Sequence, residues 1–478
     1  MTEINEDTVR ADARAWLEAN WNPNYGLVEW RLKLAQSGWG VPHWPARWYG
    51  RGLPVGLVPV VEEEFKRIGA IGVAKIGIRT LAAATILEHG TDWQKEKFLL
   101  RILTGEDIWC QLFSEPGSGS DVAGAVTRAE FRGNQWVVNG QKVWTTSAHK
   151  AQGGLLLARS DWDQPKHRGL SYFIIDMKQP GVTVQPLRQM NGYASFNQVF
   201  FTDAKVEPEF LVSEVGNGWA VTTTTLMHER RGADGLRSWA IASDKPGRIY
   251  HEEREEIRTT MEPYKWYPQR AGRADLILEQ ARATGKINDP VLRQEIAKVM
   301  AMSKAAEWTA RRARAAQEQG RPQGPEGSLG KLASSIIARA AARVHTSLLG
   351  PDALLTGDDS PMSGLLAEIL VSVPASSIAG GTDENACSRC RASGPATRTS
   401  RSRMFHEILW SRVGRSPRAE VRTGGVEQWR RPALLRSYER QLTARRRYPK
   451  SRSARSARHL RHEADHQSVG PVSCIHVP

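Results

Sequence analysis

Apolar residues recur at helical spacing through the first hundred positions. Val9, Ala13, Trp16 and Leu17 share one face of a helix over Asp7 to Ala19, and the same period runs from Glu29 to Ser37 before Gly38. Val58 to Ile68 and Ile78 to Glu88 continue it, with Gly90 as a stop, while Trp39-Gly40-Val41-Pro42 and Tyr49-Gly50-Arg51-Gly52 read as loops. Near Ile108 the period shortens. Gly133-Asn134 marks a hairpin before Trp136, and apolar runs at 155–159, 171–176 and 182–187 are bounded by Gly, Pro or Asp, as strands are. After Gly216-Asn217-Gly218 the helical period returns, most clearly over Lys298 to Arg314 and Gly330 to Val344. Helices, then strands, then helices is an α+β order rather than an alternating βαβ one. The pattern predicts an N-terminal helical domain over 1–106, a middle antiparallel β domain over 107–212 and a C-terminal helical bundle over 213–384.

Charge divides the chain at the end of that bundle. A net charge of +15 over 478 residues would suggest a nucleic-acid partner. Position removes that reading, because the residues after Glu384 hold 21 basic and 6 acidic side chains while the rest holds 45 of each. The body is neutral. Residues 385–478 are rich in Arg and Ser, nearly free of Lys, and without a sustained period, so they are expected to be a disordered basic tail. So abrupt a change is what out-of-frame translation of a GC-rich gene would produce, and that origin is favoured over a designed extension. Any binding of nucleic acid or anionic lipid by such a tail would be non-specific.

The cysteines follow the same division, with Cys110 in the body and Cys387, Cys390 and Cys474 beyond it. One body thiol argues for a reducing compartment. Cys387-x-x-Cys390 has His459, His462 and His466 downstream but lacks the second cysteine pair of a zinc site, so no metal is expected. The acidic N-terminus carries no apolar signal core and no apolar run reaches about 18 residues. The expectation is a cytoplasmic protein without a membrane anchor. The charged segment within Ser243 to Pro268 reads as a solvated helix or loop.

Candidate chemistry begins at Ser114-Glu115-Pro116-Gly117-Ser118-Gly119-Ser120-Asp121. Its glycines allow close backbone approach to a ligand, and its serines add donors without bulk. The loop lacks the Gly-Lys-Ser/Thr of a P-loop and the spacing of a Rossmann fingerprint. It resembles instead the flavin-binding loop of the acyl-CoA dehydrogenases. Gly140-Gln141-Lys142-Val143-Trp144-Thr145-Thr146 resembles that family's second flavin segment, and Leu155 to Arg159 its next strand. Met227-His228-Glu229-Arg230-Arg231 resembles the helix that carries the base in one branch, and Ser377 to Glu384 the start of the last flavin motif. The similarity covers roughly residues 1 to 384, in the family's order.

The resemblance implies FAD as cofactor and an acyl-CoA as substrate, with electrons passed to an electron-transfer flavoprotein. It also implies a homo- or hetero-oligomer. In most of the family the base precedes the Gly-Thr of the last motif, a position that is Gly380 here. The isovaleryl-CoA and long-chain branch places it where Glu229 stands, so Glu229 is the candidate base. The bland alternative is a surface ion-pair carboxylate. The N–H of Gly380 would polarise the thioester carbonyl. Gln111, Phe113, Ser114, Trp144, Thr146, Thr382 and Glu384 would contact FAD, with Trp144 stacking and Thr146 bonding the ring edge. Ser120 would touch the CoA arm, and Met227, His228 and Arg230 would line the acyl pocket. Arg282 and Gln294 correspond to residues that reach the flavin of a neighbouring subunit, although Arg282-Ala283-Thr284-Gly285 lacks the aromatic of the family pattern. Two other readings stay open: an acyl-CoA oxidase or flavin monooxygenase of the same fold, and a non-catalytic or defective subunit.

Overall fold

The computed structural model describes residues 4–232, 243–319, 321 and 324–392. The predicted disorder of the tail therefore falls outside the described residues beyond Ala392. Five helices come first: α1 (Glu6–Asn20), α2 (Leu27–Ser37), α3 (Val58–Ile68), α4 (Arg79–His89) and α5 (Asp92–Thr104). Two open with reciprocal caps, in which Asn5 and Thr8, and then Thr91 and Gln94, each satisfy the other's backbone N–H. Gln94 does more. Its side-chain amide also reaches the carbonyls of Glu209 and Leu211 at 2.7 and 2.9 Å, which ties α5 to the far end of the β region.

Eight strands follow: β1 (Trp109–Leu112), β2 (Arg128–Arg132), β3 (Gln135–Thr146), β4 (Gly153–Arg159), β5 (Leu170–Asp176), β6 (Val182–Leu187), β7 (Phe196–Val206) and β8 (Leu211–Val212). They form one sheet in the order β6-β7-β3-β2-β4-β5-β8, with β1 parallel to β4. Both faces of its centre are covered, which is why β4 reads as an unbroken apolar run. Leu155 and Leu157 join a core shared with α1, α2, α4 and α5, while Leu156 and Ala158 face a second core with Val138, Phe173 and Val199.

The chain then returns to helix: α6 (Gly218–Gly232), α7 (Arg248–Met261), α8 (Tyr267–Arg270), α9 (Ile277–Ala283), α10 (Pro290–Glu318), α11 (Glu326–Leu349), α12 (Leu365–Ser372) and α13 (Asp383–Ala392). Two expectations need correction here. The charged segment within Ser243 to Pro268 is a helix, one of the two forms expected, but it is not fully solvated. It forms α7, which buries Ile249, Tyr250, Ile257 and Met261. Glu256 on α7 bonds Arg31 at 2.6 and 3.0 Å and Arg79 at 2.7 Å, and both arginines are buried. Burial opposes ionisation of Glu256, but the two guanidinium groups overcome it and hold the carboxyl below its ordinary range. The charges of α7 alternate with apolar residues at helical spacing, so one charged face could turn inward to meet buried cations.

The second correction concerns the boundary at Glu384. The last helix does not stop there but runs on through Ala392 and buries Ala386. Its start is anchored by Asp383, which accepts from Ser335 and Arg339 of α11 at 2.5 and 2.8 Å. An anchored first turn carries the next residues into helix whatever their origin.

Replacing Glu256 with Ala leaves two buried guanidinium groups facing each other. We expect a loss of about 3–5 kcal/mol in denaturant unfolding. A loss below about 1 kcal/mol would mean that this joint is solvated.

Candidate active site

Strand β1 delivers Gln111 and Phe113 to the head of the glycine/serine loop. Phe113 is buried against Tyr172, edge to face at 5.8 Å. The Ser114 carbonyl accepts from Val143 N–H at 2.9 Å, which stitches the loop to β3. A Cβ placed on Gly117 or Gly119 would meet nothing within 4 Å, and neither has a positive φ. The space beside these glycines is open, so their use here is clearance rather than an unusual backbone conformation. Ser120 is exposed at the loop's tip.

Trp144 departs from the ordinary core residue that a Trp-Thr-Thr strand would suggest. The pairing of β3 with β7 shifts register between Lys142 and Thr145, a bulge that gives Trp144 a φ of 61°. The indole is 55% exposed and touches Phe196 edge to face. A positive φ on a bulky residue and an exposed indole are both costs, and they coincide on one surface. Thr146, two residues on, neighbours the hydroxyl of Tyr264.

Helix α6 brings Glu229 to this surface. Buried hydroxyls hold the helix in place, with Thr225 bonding Thr85 of α4 at 2.8 Å and Tyr172 of β5 at 3.1 Å. One turn later the Glu229 carboxylate accepts from the Gln111 amide at 3.2 Å. It has no ion pair within 4 Å among the described residues, so the surface ion-pair reading is not what the fold builds. The residue keeps partial exposure, but its carboxyl group is walled in, and this desolvation pushes its pKa up against the weaker pull of Gln111 and Arg270. Tyr264 and Tyr267 stand near enough to feel its charge, and Arg270 stacks on Tyr267 at 4.5 Å.

The last motif meets the end of α6. Arg230 shares a cleft with Lys331, Gly380, Gly381 and Thr382, and both glycines have positive φ, at 71° and 93°. Thr382 caps the following turn by accepting from Asn385 N–H at 3.3 Å, and Glu384 is exposed. Met227 and His228 are half-buried on α6, with His228 3.9 Å from Glu88. Arg282 on α9 and Gln294 on α10 are exposed. Cys387 and Cys390 lie one turn apart on α13, whereas His459, His462 and His466 fall outside the described residues.

Three family models match in the order in which the fold lays them down. The acyl-CoA dehydrogenase N-terminal domain matches residues 2–106, the middle domain 110–204 and the C-terminal domain 273–393. The chain belongs to the acyl-CoA dehydrogenase family. Acyl-CoA dehydrogenase FadE34 of Mycobacterium tuberculosis is 45% identical over 202 residues, which is 42% of this chain and 28% of that protein. Acyl-CoA dehydrogenase IpdE1 of the same organism is 37% identical over 247 residues, 48% of this chain and 64% of that protein. The chain thus spans less than two-thirds of these curated relatives. The fold is also that of the solved Tcur3481-Tcur3483 steroid ACAD, with a TM-score of 0.56 and 23% identity over 83% of this chain and 98% of that one. The C-terminal domain match runs through residue 393, so the acyl-CoA dehydrogenase likeness extends past Glu384, where the residue pattern alone ended it. Among the described residues no helix is long and apolar enough to cross a membrane.

In this acyl-CoA dehydrogenase fold the residues on the Trp144 surface fit a flat, hydrogen-bonding cofactor. The indole is exposed on a strained bulge, the glycine loop is open, and Gln111, Ser114 and Thr146 are only half-buried. Tyr264, Tyr267 and Arg270 are the site residues that the sequence pattern did not reveal. Tyr264 and Tyr267 come from the segment read as a solvated helix or loop and Arg270 lies just past its end, and only the Tyr-x-x-Tyr-x-x-Arg spacing could have pointed to them.

A carboxyl whose folded pKa lies above its unfolded value binds its proton more tightly when folded. It therefore lowers stability at pH above the unfolded value. Glu229→Gln should melt above wild type at pH 8 and converge with it at acid pH, where the wild-type group is protonated in both states. Equal melting temperatures at both pH values would show that the carboxylate is solvated.

Proposed function

We propose that this chain is an FAD-dependent acyl-CoA dehydrogenase that converts an acyl-CoA thioester into a trans-2-enoyl-CoA. The observation that carries the reading is the desolvated Glu229 carboxylate, held 3.2 Å from Gln111 where β1 enters the glycine/serine loop. Glu229 takes the α-proton, and the electron pair of that C–H bond becomes the new C=C bond as hydride leaves the β-carbon. Bound FAD supplies the hydride acceptor. A raised carboxyl pKa makes Glu229 a stronger base than a solvated glutamate.

The remaining side chains bind and orient. The Gly380 N–H polarises the thioester carbonyl as negative charge develops on its oxygen. Gln111 holds the Glu229 carboxylate in position while leaving its second oxygen available. Trp144 stacks on the flavin ring, Thr146 bonds its edge, and Phe113, Ser114, Thr382 and Glu384 complete the cofactor surface. Ser120 meets the CoA arm, and Met227, His228 and Arg230 line the acyl cavity. Arg282 and Gln294 reach a second subunit's FAD, which requires an oligomer and agrees with their exposure here. Electrons then pass to an electron-transfer flavoprotein, in the cytoplasm.

The deciding measurement is the visible spectrum of the purified protein. Yellow protein should bleach anaerobically with a member of an acyl-CoA panel. Colourless protein that takes up no FAD would favour the non-catalytic subunit. Rapid reoxidation of the bleached form by oxygen would favour an oxidase. Glu229→Gln should retain FAD and slow bleaching by about 10² to 10⁴-fold, whereas Glu384→Gln should change the rate little. Bleaching should also fall on acidification through an apparent pKa above the ordinary carboxylate value, a limb that Glu229→Gln abolishes. Thr146→Val and Trp144→Ala should each weaken FAD retention. Undiminished retention in both would move the ring elsewhere.

A further inference from the structure

A second buried carboxylate stands behind the flavin surface, and the chemistry above makes no use of it. Glu115 is 4% exposed, and Lys142 on β3 is completely buried. Lys142 Nζ donates to Glu115 Oε1 at 2.8 Å and to the Phe113 carbonyl at 3.0 Å. The carboxylate also accepts from Val126 N–H at 2.7 Å and from Thr127 N–H at 3.0 Å. One side chain thus joins the start of the glycine/serine loop to its end, 11 and 12 residues later. Within that ring Glu115 and Ser118 exchange backbone bonds at 3.0 and 3.1 Å, and Arg159 holds the carbonyls of Ala123 and Ala125.

Lys142 occupies a particular place in β3. It is the last residue in register with β7 before the bulge, paired with Val199, and pairing resumes at Thr145. Its inward side chain fixes where the register breaks, and so which residue is pushed outward. That residue is Trp144. Burying an ion pair is costly, and a core of the same volume could be made from apolar groups at no loss of stability. An apolar pair, however, could not accept the two loop amides or bind the Phe113 carbonyl. Four directional bonds converge on one joint between the two segments that face the cofactor.

We propose that Glu115 and Lys142 are positioning residues for FAD: together they close the loop from 114 to 127 and set the β3 bulge, so that both halves of the flavin surface are held in one geometry before the cofactor arrives. The inference rests on the FAD reading above and names residues that reading leaves out.

The test uses the full chain stripped of cofactor and then titrated with FAD. Glu115→Gln retains shape but sets an amide against a backbone N–H, Lys142→Met removes the cation, and the double variant removes both charges. Each should raise the FAD dissociation constant at least tenfold. In hydrogen exchange the apoprotein variants should lose protection selectively over 114–127 and 142–146, while strands β4 and β5 remain protected. The double variant should recover the melting temperature lost by Lys142→Met without recovering FAD affinity. That split separates positioning from bulk stability. FAD affinity within twofold of wild type in folded Glu115→Gln or in the double variant overturns the proposal. So does FAD affinity that recovers in step with melting temperature. Should the double variant fail to fold, Glu115→Gln alone decides by the same criteria. Wild type that binds no FAD rejects the functional reading itself, a result distinct from wild type that binds FAD and variants that bind it equally well.

Discussion

Desolvation of a carboxylate is the constraint around which this molecule is arranged. Moving an ionised carboxyl out of water is so unfavourable that the group must either gain a cation and hydrogen bonds or give up part of its acidity. Glu256 and Glu115 take the first course, one between Arg31 and Arg79, the other on Lys142 and two backbone amides. Glu229 takes the second, with an amide for a partner and its pKa displaced upward. The same physics yields two structural joints and one carboxyl of weakened acidity. The difference lies in what the neighbouring elements bring within reach.

The two joints make the third environment possible. Glu256 docks α7 on the N-terminal helices, and the chain leaving α7 runs into Tyr264 and Tyr267, which pack against each other at 5.0 Å. Both rings lie within electrostatic reach of the Glu229 carboxyl, and Tyr264 neighbours Thr146 on β3. From the other side, the Glu115–Lys142 pair holds β3 and the loop together, while Gln111 at the end of β1 meets the carboxylate. Helix α6 is fixed between α4 and β5 by Thr85, Thr225 and Tyr172. Residues more than a hundred positions apart are thus brought to one surface through buried polar contacts rather than through the apolar core alone.

Hydrophobic period determined most of the architecture. The helices over Val58–Ile68 and Arg79–His89 and the runs of β4, β5 and β6 stand where apolar spacing and the bounding Gly, Pro and Asp residues put them. Those signals are local, since a helix face or a strand is written within a dozen residues. The glycine/serine loop and the Trp144 segment stood out only through their resemblance to a family pattern, since by themselves they read as a turn and an ordinary core strand.

Tertiary structure alone decided how charge is used. Nothing local distinguishes Glu256, buried between two arginines from α2 and α4, from Glu255, an exposed neighbour paired with Arg258 three residues away. Nor does spacing reveal that Lys142 points inward while Trp144 points out, since a bulge inverts the alternation that a regular strand would impose. The helix across Glu384 was hidden for a related reason: composition changes there, but Asp383, anchored to α11, sets the first turn that Asn385 and Ala386 follow. Burial, register and anchoring depend on partners distant in sequence, and a carboxylate is held ionised or pushed toward its neutral form only when those partners are in place.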